Sequence, residues 1–131
     1  WTGDYAEAAK WYRLAADLGD ASAQINLGLM NYNGQGIPQD YAEAGRLYRL
    51  AADQGYANAQ YNLGFMYANG RGVPQDYVMA HMWFNISSSN GDNKADERRD
   101  VLADLMTRED ISKAQAMARE CVSSGYKKCG N

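Results

Sequence analysis

Cationic and amide side chains recur in this chain at an interval of 36 residues. Arg13 and Arg49 are separated by that interval, and Asn85 follows at the next one. Guanidinium groups bind carboxylates through two parallel hydrogen bonds, and packed helices lie about 8–10 Å apart. On successive helices these residues predict a short ladder that binds an acidic or extended segment of a partner. The alternative is that Arg13 pairs with Asp17, and Arg49 with Asp53, as solvated i, i+4 ion pairs.

Two asparagines and one histidine are further candidates for binding a partner. Asn26 and Asn62 are also 36 residues apart, and their amides can hold a peptide backbone. His81 stands where the earlier copies have Ala9 and Gly45, a variable position of the kind that sets specificity. A metal site is not expected, because His81 is the only histidine and the two cysteines lie far along the chain.

A Ser-x-x-Lys string near the end of the chain resembles that of penicillin-binding enzymes. It reads Ser124-Gly-Tyr-Lys127. The chemistry needs the serine and the lysine on one helical turn, with Ser-Asp-Asn and Lys-Thr-Gly motifs as partners. Gly125 breaks the turn, and both partner motifs are missing from the sequence. We therefore attribute the match to chance and predict a non-enzymatic protein without a cofactor.

Cys121 and Cys129 are eight residues apart. In an unbroken helix this spacing gives about 12 Å of rise, which is too far for a disulfide. Gly125 can end the helix and let the chain return, and a bridge would then fix the tail. A bridged pair indicates the periplasm or the cell exterior. The alternative is a cytoplasmic protein with two reduced thiols.

A repeated unit must position these residues. The first two copies are identical at 24 of 36 positions, and a third copy begins before it diverges. This period predicts a solenoid whose units bury apolar faces against one another. We expect one domain over 1–131, with the following parts: units at 4–39, 40–75 and 76–106, a capping helix at 107–125 and a tail at 126–131.

Each unit is predicted to be a hairpin of two helices. Asp40 and Glu43 have the spacing of a capping box at the start of a first helix, and Gly55 suits a left-handed turn after it. The second helices contain Gly28 and Gly64, although a glycine inside a helix costs about 1 kcal/mol relative to alanine. We therefore expect close helix contact there, with an alanine of a first helix, at position 8 or 44, as the partner.

The two ends of the array differ. The second helix of the third unit is predicted at about 93–106 and is highly charged. Thr107 should cap a last helix, and the polar layer closes the solenoid. No comparable cap precedes the first helix, which predicts an exposed apolar face and a homodimer through it. Because the chain begins at Trp1 and not at methionine, an upstream segment is also expected.

The overall composition argues against two classes of partner. The net charge is −3 and the pI is about 5.0, whereas nucleic-acid-binding domains usually carry a basic patch. No run of about 18 apolar residues occurs, so no membrane insertion is expected.

The repeated motifs resemble the Sel1-like repeat, a relative of the tetratricopeptide repeat. They are Trp-Tyr-x-x-Ala-Ala at 11–16, Ala-Gln-x-x-Leu-Gly at 23–28 and 59–64, and Gly-x-Gly-Ile/Val-x-x-Asp at 34–40 and 70–76. The resemblance implies an all-α, right-handed superhelical solenoid of helical hairpins, ended by a capping helix. The tail after residue 99 is similar to that of bacterial members.

For function, the resemblance implies a protein- or peptide-binding adaptor whose first helices line the concave face. Two alternatives remain. Activity related to penicillin binding or β-lactam hydrolysis has been suggested for a secreted, cysteine-rich branch of the family, so an envelope-associated enzyme is one. A structural module that associates with itself through the uncapped face is the other.

Overall fold

The computed structural model describes residues 4–130, which form seven α-helices and no strand. Their bounds are α1 Tyr5–Asp17, α2 Ala21–Asn33, α3 Tyr41–Ala52, α4 Ala57–Asn69, α5 Tyr77–Ser89, α6 Asn93–Ala103 and α7 Arg108–Ser123. The predicted solenoid of three helical hairpins and a last helix is confirmed. Trp1, on which the expectation of an upstream segment was based, and Asn131, the last residue of the tail, lie outside the described residues.

Side-chain caps fix the starts of the helices. Asp40 accepts a hydrogen bond from the backbone N–H of Glu43 at 3.0 Å, and Asp4 and Asp76 cap the other first helices in the same way. Thr107 caps α7 as predicted. The box at Asp40 is only half formed, because the Glu43 carboxylate faces two arginines instead.

Successive hairpins are joined by an aromatic ring that packs on a glycine of the preceding second helix. A Cβ added to Gly28 would lie 2.8 Å from the Tyr48 ring, and one added to Gly64 would lie 2.6 Å from the Phe84 ring. The alanine partner predicted from the sequence is therefore wrong. The glycines are needed because any side chain would collide with the ring of the next unit.

The last helix packs across α5, the first helix of the third unit. Three positions that are polar or exposed in α3 are buried and apolar in α5: Met79, Met82 and Ile86 replace Glu43, Arg46 and Leu50. The α5 side chains belong to the same buried cluster as Ala118 and Cys121 of α7. The solenoid thus ends in a helix that covers one face of its third unit.

A disulfide joins Cys121 to Cys129, and both cysteines are fully buried. The helix α7 stops at Ser123, and Gly125 and Tyr126 both have φ 67°. This left-handed turn returns the chain, as expected from Gly125. Closing the eight-residue separation stabilises the fold by about 2.5 kcal/mol on the loop-entropy estimate.

The ring contact predicts opposite effects of alanine at two helical glycines. Gly64→Ala should lower the free energy of unfolding by about 1–2 kcal/mol, because overpacking against Phe84 outweighs the gain in helix propensity. Gly45→Ala is the matched control. Its Cβ would meet only the tip of Met66, at 3.4 Å, so stability should be unchanged or rise by up to about 1 kcal/mol. Urea unfolding followed by circular dichroism measures both, and equal effects would contradict the ring contact.

Candidate functional site

The arginine ladder lies on the first helices, and its side chains have partners within the chain. Arg13 donates from Nη1 to the Glu43 carboxylate on α3 at 3.3 Å, and not to Asp17, the alternative given by the sequence. Its side chain remains 39% exposed. A carboxylate of a partner can therefore still reach this guanidinium.

The second arginine is held from two sides. Arg49 donates from Nε to Asp53 at 2.8 Å, which is the i, i+4 pair considered above. Its Cζ lies 5.3 Å from the ring centroid of Trp83, close enough for a cation–π interaction. The third rung, Asn85, accepts a hydrogen bond from Nη1 of Arg99 at 2.9 Å. These contacts set the direction of each side chain before any partner arrives.

Glu43 is the charge that connects the first two units on this face. It accepts hydrogen bonds from both Arg46 and Arg13. The hydrogen bond from Arg46, more than the contribution of Arg13, holds the pKa of the Glu43 carboxyl below its ordinary value. The carboxylate therefore stays ionised at neutral pH and keeps Arg13 in place.

The ladder ends at a cavity of about 340 Å³ between α5 and α7. It is lined by Asn85, Ile86, Ser89, Ala118, Arg119, Val122 and Ser123. Because α7 crosses α5, it forms one side of the cavity and bounds the first-helix face at this end. From the sequence α7 was expected only to cap the end of the array, and this cavity was not predicted. The sequence did contain an indication of it. Met82 and Ile86 of the third unit replace Arg46 and Leu50 of the second, which makes this face of α5 apolar.

Asn26 and Asn62 lie on a different surface, formed by the second helices. Three cavities follow one another, the first on the open side of α1 and α2 and the other two between successive second helices, and we call them the second-helix grooves 1, 2 and 3. Groove 1, of about 340 Å³, is lined by Tyr5, Ala8, Trp11, Tyr12, Asn26, Leu29, Met30 and Gln35. Groove 2, of about 230 Å³, is lined by Leu29, Tyr32, Tyr48, Tyr61, Asn62 and Phe65. Groove 3, also about 230 Å³, is lined by Phe65, Ala68, Asn69, Tyr77, Phe84, Arg98, Val101, Leu102 and Leu105.

His81 is buried, with only 3% of its surface exposed. Its Nδ1 has no hydrogen-bond partner within residues 4–130. Burial lowers the pKa of His81, Arg99 lowers it further, and Asp100 opposes the shift. The side chain presents no surface to a partner, so the role in specificity inferred from its variable position has no geometric basis here.

The serine of the Ser-x-x-Lys string serves the turn of the tail. The Ser124 hydroxyl donates to the carbonyl of Cys121 at 3.0 Å and accepts from the backbone N–H of Lys128 at 2.9 Å. Ser124 and Lys127 do not share a helical turn, because α7 ends at Ser123. In the part of the chain that the structure describes, no cluster of three metal-ligating side chains occurs. No helix there is long and apolar enough to cross a bilayer.

Comparison with known proteins agrees with this geometry. The family model described as Sel1 repeat matches residues 2–20, 21–56 and 57–92. The structure of c5321, a protective antigen of uropathogenic Escherichia coli strains with an SLR fold, is similar with a TM-score of 0.89 and 31% identity. That match covers 95% of this chain but 28% of the other, so this chain spans about a quarter of that protein's length.

A Sel1 repeat protein from Oxalobacter formigenes is also similar. Its TM-score is 0.67 and its identity 37%, over 70% of this chain and 68% of the other. No curated protein matches the sequence. The resemblance inferred from the repeated motifs is confirmed.

The burial of His81 predicts a loss of stability in mild acid. Its folded pKa lies below the ordinary value of about 6.5, so protons bind preferentially to the unfolded chain. The contribution of the neutral ring is complete above about pH 6.5 and is lost as the pH falls toward the folded pKa. The melting temperature should fall between about pH 7.5 and about pH 5 more in the wild type than in His81→Leu. Equal falls, measured by circular dichroism, would assign the effect to other groups.

Proposed function

The chain belongs to the Sel1 repeat family, and we propose that it is a non-enzymatic adaptor that binds a protein or peptide on the first-helix face. The observation that carries the proposal is the pair of oriented, partly exposed guanidinium groups of Arg13 and Arg49. They occupy equivalent positions of successive units and lead to the cavity beside Asn85.

The proposed mechanism is recognition by a preorganised surface. The Glu43 carboxylate and the Trp83 ring already hold the two guanidinium groups, so less rotamer freedom is lost when a partner binds. An acidic or extended segment supplies carboxylates to the arginines. The end of that segment enters the cavity between α5 and α7, where Asn85 and Arg119 offer polar contacts.

We place this adaptor in an oxidising compartment, either the periplasm or the cell exterior. The support is the buried disulfide between Cys121 and Cys129, since such bonds persist mainly where thiols are not kept reduced. The partner should then be sought among envelope or secreted proteins.

Neutralising the two arginines tests the adaptor proposal. A partner captured from envelope extracts should bind Arg13→Gln/Arg49→Gln at least about tenfold more weakly than the wild type, because charged hydrogen bonds are worth about 1.5–3 kcal/mol each. Glutamine is chosen because glutamate beside Glu43 would add repulsion. Arg98→Gln, on the second-helix side, is the matched control and should bind like the wild type. Equal retention of the partner by all three proteins would contradict binding at the ladder.

A second candidate function is self-association through the open side of α1. The observation that favours it is Trp11, which is 62% exposed, while its equivalent Leu47 is 1% exposed beneath the preceding hairpin. In a dimer, a second copy would cover the surface that a preceding hairpin covers in the other units.

Replacing the exposed tryptophan tests self-association. Light scattering over a concentration series should show dimers of the wild type and monomers of Trp11→Glu, because a buried charge opposes the contact. Leu50→Glu, an exposed position on α3, is the control and should still dimerise. Monomeric wild type at every concentration would exclude this function.

A further inference from the structure

Two leucines at equivalent positions are exposed on the first-helix face, the solvent side of α1, α3 and α5. Leu14 of α1 is 58% exposed and Leu50 of α3 is 41% exposed. A salt bridge from Arg13 to Glu43, at 3.3 Å, joins the same two helices, so the leucines lie on neighbouring helices. Single exposed apolar residues are ordinary, whereas adjacent ones form a patch that can bind a partner. We call this pair the leucine patch.

The third copy of this position is covered within the chain. Ile86 of α5 is equivalent to the two leucines but is only 1% exposed. It is covered because α7 packs across α5 and contributes Ala118 and Cys121 to the same buried cluster as Ile86. One position of the repeat is thus solvated in two units and covered by a helix in the third. A helix is therefore an element that this position accepts.

The buried side of the covering helix consists of small residues. In α7 they are Ala114, Ala118 and Cys121, which recur at steps of four and three and so share one helical face. The large side chains of this contact, Met82 and Ile86, come from α5. Since the leucine patch also offers large side chains, a helix that covers it should likewise present small residues.

Charges of opposite sign flank the leucine patch. Lys10 and Arg46 lie one helical turn before the leucines, and we call them the basic row. Asp17 and Asp53 lie one turn after the leucines and form the acidic row. The third unit, where α7 covers the equivalent position, has methionine and serine at these two places. The charges are thus present only where no helix of this chain covers the surface.

The charged rows are accessible to a partner. Lys10 and Asp17 are exposed, and neither forms a salt bridge within residues 4–130. Arg46 and Asp53 have partners in the chain, but their side chains remain 54% and 38% exposed. A helix that contacts both leucines runs from α1 to α3, so one of its sides faces the basic row and the other faces the acidic row. Charge complementarity therefore favours a helix with acidic residues on one side and basic residues on the other.

We propose that the leucine patch binds an amphipathic helix of a partner protein, which lies across α1 and α3 and packs on the leucines as α7 packs on Ile86. Small residues of that helix contact the leucines, its acidic residues pair with the basic row and its basic residues pair with the acidic row. Recognition of an amphipathic helix by its apolar face is a recurring mode of peptide binding. The inference rests on the proposed function, because it names the element of the partner that the first-helix face receives.

A helical synthetic peptide tests the inference. It has about 18 residues, or about 27 Å of helix, with alanines along one face, glutamates on one side of that face and lysines on the other. A hydrocarbon staple on the opposite face holds it helical, and a fluorescent label reports binding by anisotropy. The wild type should bind this mixed peptide saturably. An unstapled version with a central proline should bind at least about tenfold more weakly, because its helix is broken.

Serine in place of the leucines tests the patch itself. Leu14→Ser/Leu50→Ser should weaken binding of the mixed peptide at least about tenfold, because the apolar contact is lost. Leu29→Ser is the matched control and should bind like the wild type, since Leu29 has a similar exposure of 47% but lies on α2, a second helix. Circular dichroism melts check that both variants are folded.

A change of charge tests the two rows. The wild type should bind the mixed peptide about threefold more tightly than a peptide with glutamate on both sides, because surface ion pairs are worth less than about 1 kcal/mol each. Asp17→Lys/Asp53→Lys should reverse this preference, since both rows are then basic. A purely structural role of the two aspartates would lower stability without reversing the preference.

Several outcomes would overturn the inference. They are no saturable binding of the mixed peptide by the wild type, equal affinity for the proline peptide, equal losses in the two serine variants, and an unchanged charge preference in the lysine variant.

The peptide and capture experiments can fail separately. If the captured partner is lost by Arg13→Gln/Arg49→Gln but the wild type does not bind the mixed peptide, the arginine ladder stands and the helix inference is wrong. If peptide binding depends on the leucine patch while that arginine variant retains the captured partner, the helix inference stands without the ladder.

Discussion

The contact on which the rest of the structure depends is the packing of an aromatic ring against a glycine backbone between units. At Gly28 and Gly64 the second helix has no side chain, and the rings of Tyr48 and Phe84 occupy that space. This sets how closely each hairpin approaches the next. Arg13 and Arg49 lie at equivalent positions of successive first helices, and a groove lies beside each ring on the side of the second helices. Both surfaces are consequences of the same close approach.

The repeat ends because the side chains on one face of α5 differ from those at the equivalent positions of α3. In the third unit, Met79, Met82 and Ile86 provide an apolar surface where the second unit is polar or exposed, and α7 covers it. The disulfide then fixes the returning tail against the same cluster. The ladder is shortened as a result, because its third rung, Asn85, opens into the cavity beneath α7. The packing of α7 on α5 therefore ends the repeat and also limits the length of the first-helix face.

Most of the fold could be predicted from the sequence, because it depends on local chemistry. The caps at Asp40 and Thr107 and the turn at Gly125 are each encoded within a few residues, and the 36-residue repeat follows from comparing the copies. The helix bounds agree closely, although the sixth helix ends at Ala103 and not near residue 106. The residues that were misplaced depend on contacts across helices. Their periodicity shows which face of a helix they share but not which neighbour lies opposite.

Three residues illustrate which contacts could not be predicted from the sequence. The partner of Gly28 is a ring twenty residues later in the chain, and the partner of Arg13 is Glu43, thirty residues later. His81 was interpreted from its variable position as a residue that sets specificity, but it is buried, and Arg99 of α6 contributes to lowering its pKa. A recurring sequence pattern does mark the position of the grooves. Leu29, Phe65 and Val101 recur at intervals of 36, and two of them are among the exposed apolar residues.

The two surfaces carry their charge at opposite ends of the array. On the first helices the sequence of rungs is Arg13, Arg49 and then neutral Asn85, whereas on the second helices it is Asn26, Asn62 and then Arg98. An identical unit repeated three times would give each surface a uniform charge and no preferred direction for a ligand. The third unit departs from the pattern at both positions. These departures give each surface one basic end, and the two basic ends lie at opposite ends of the array.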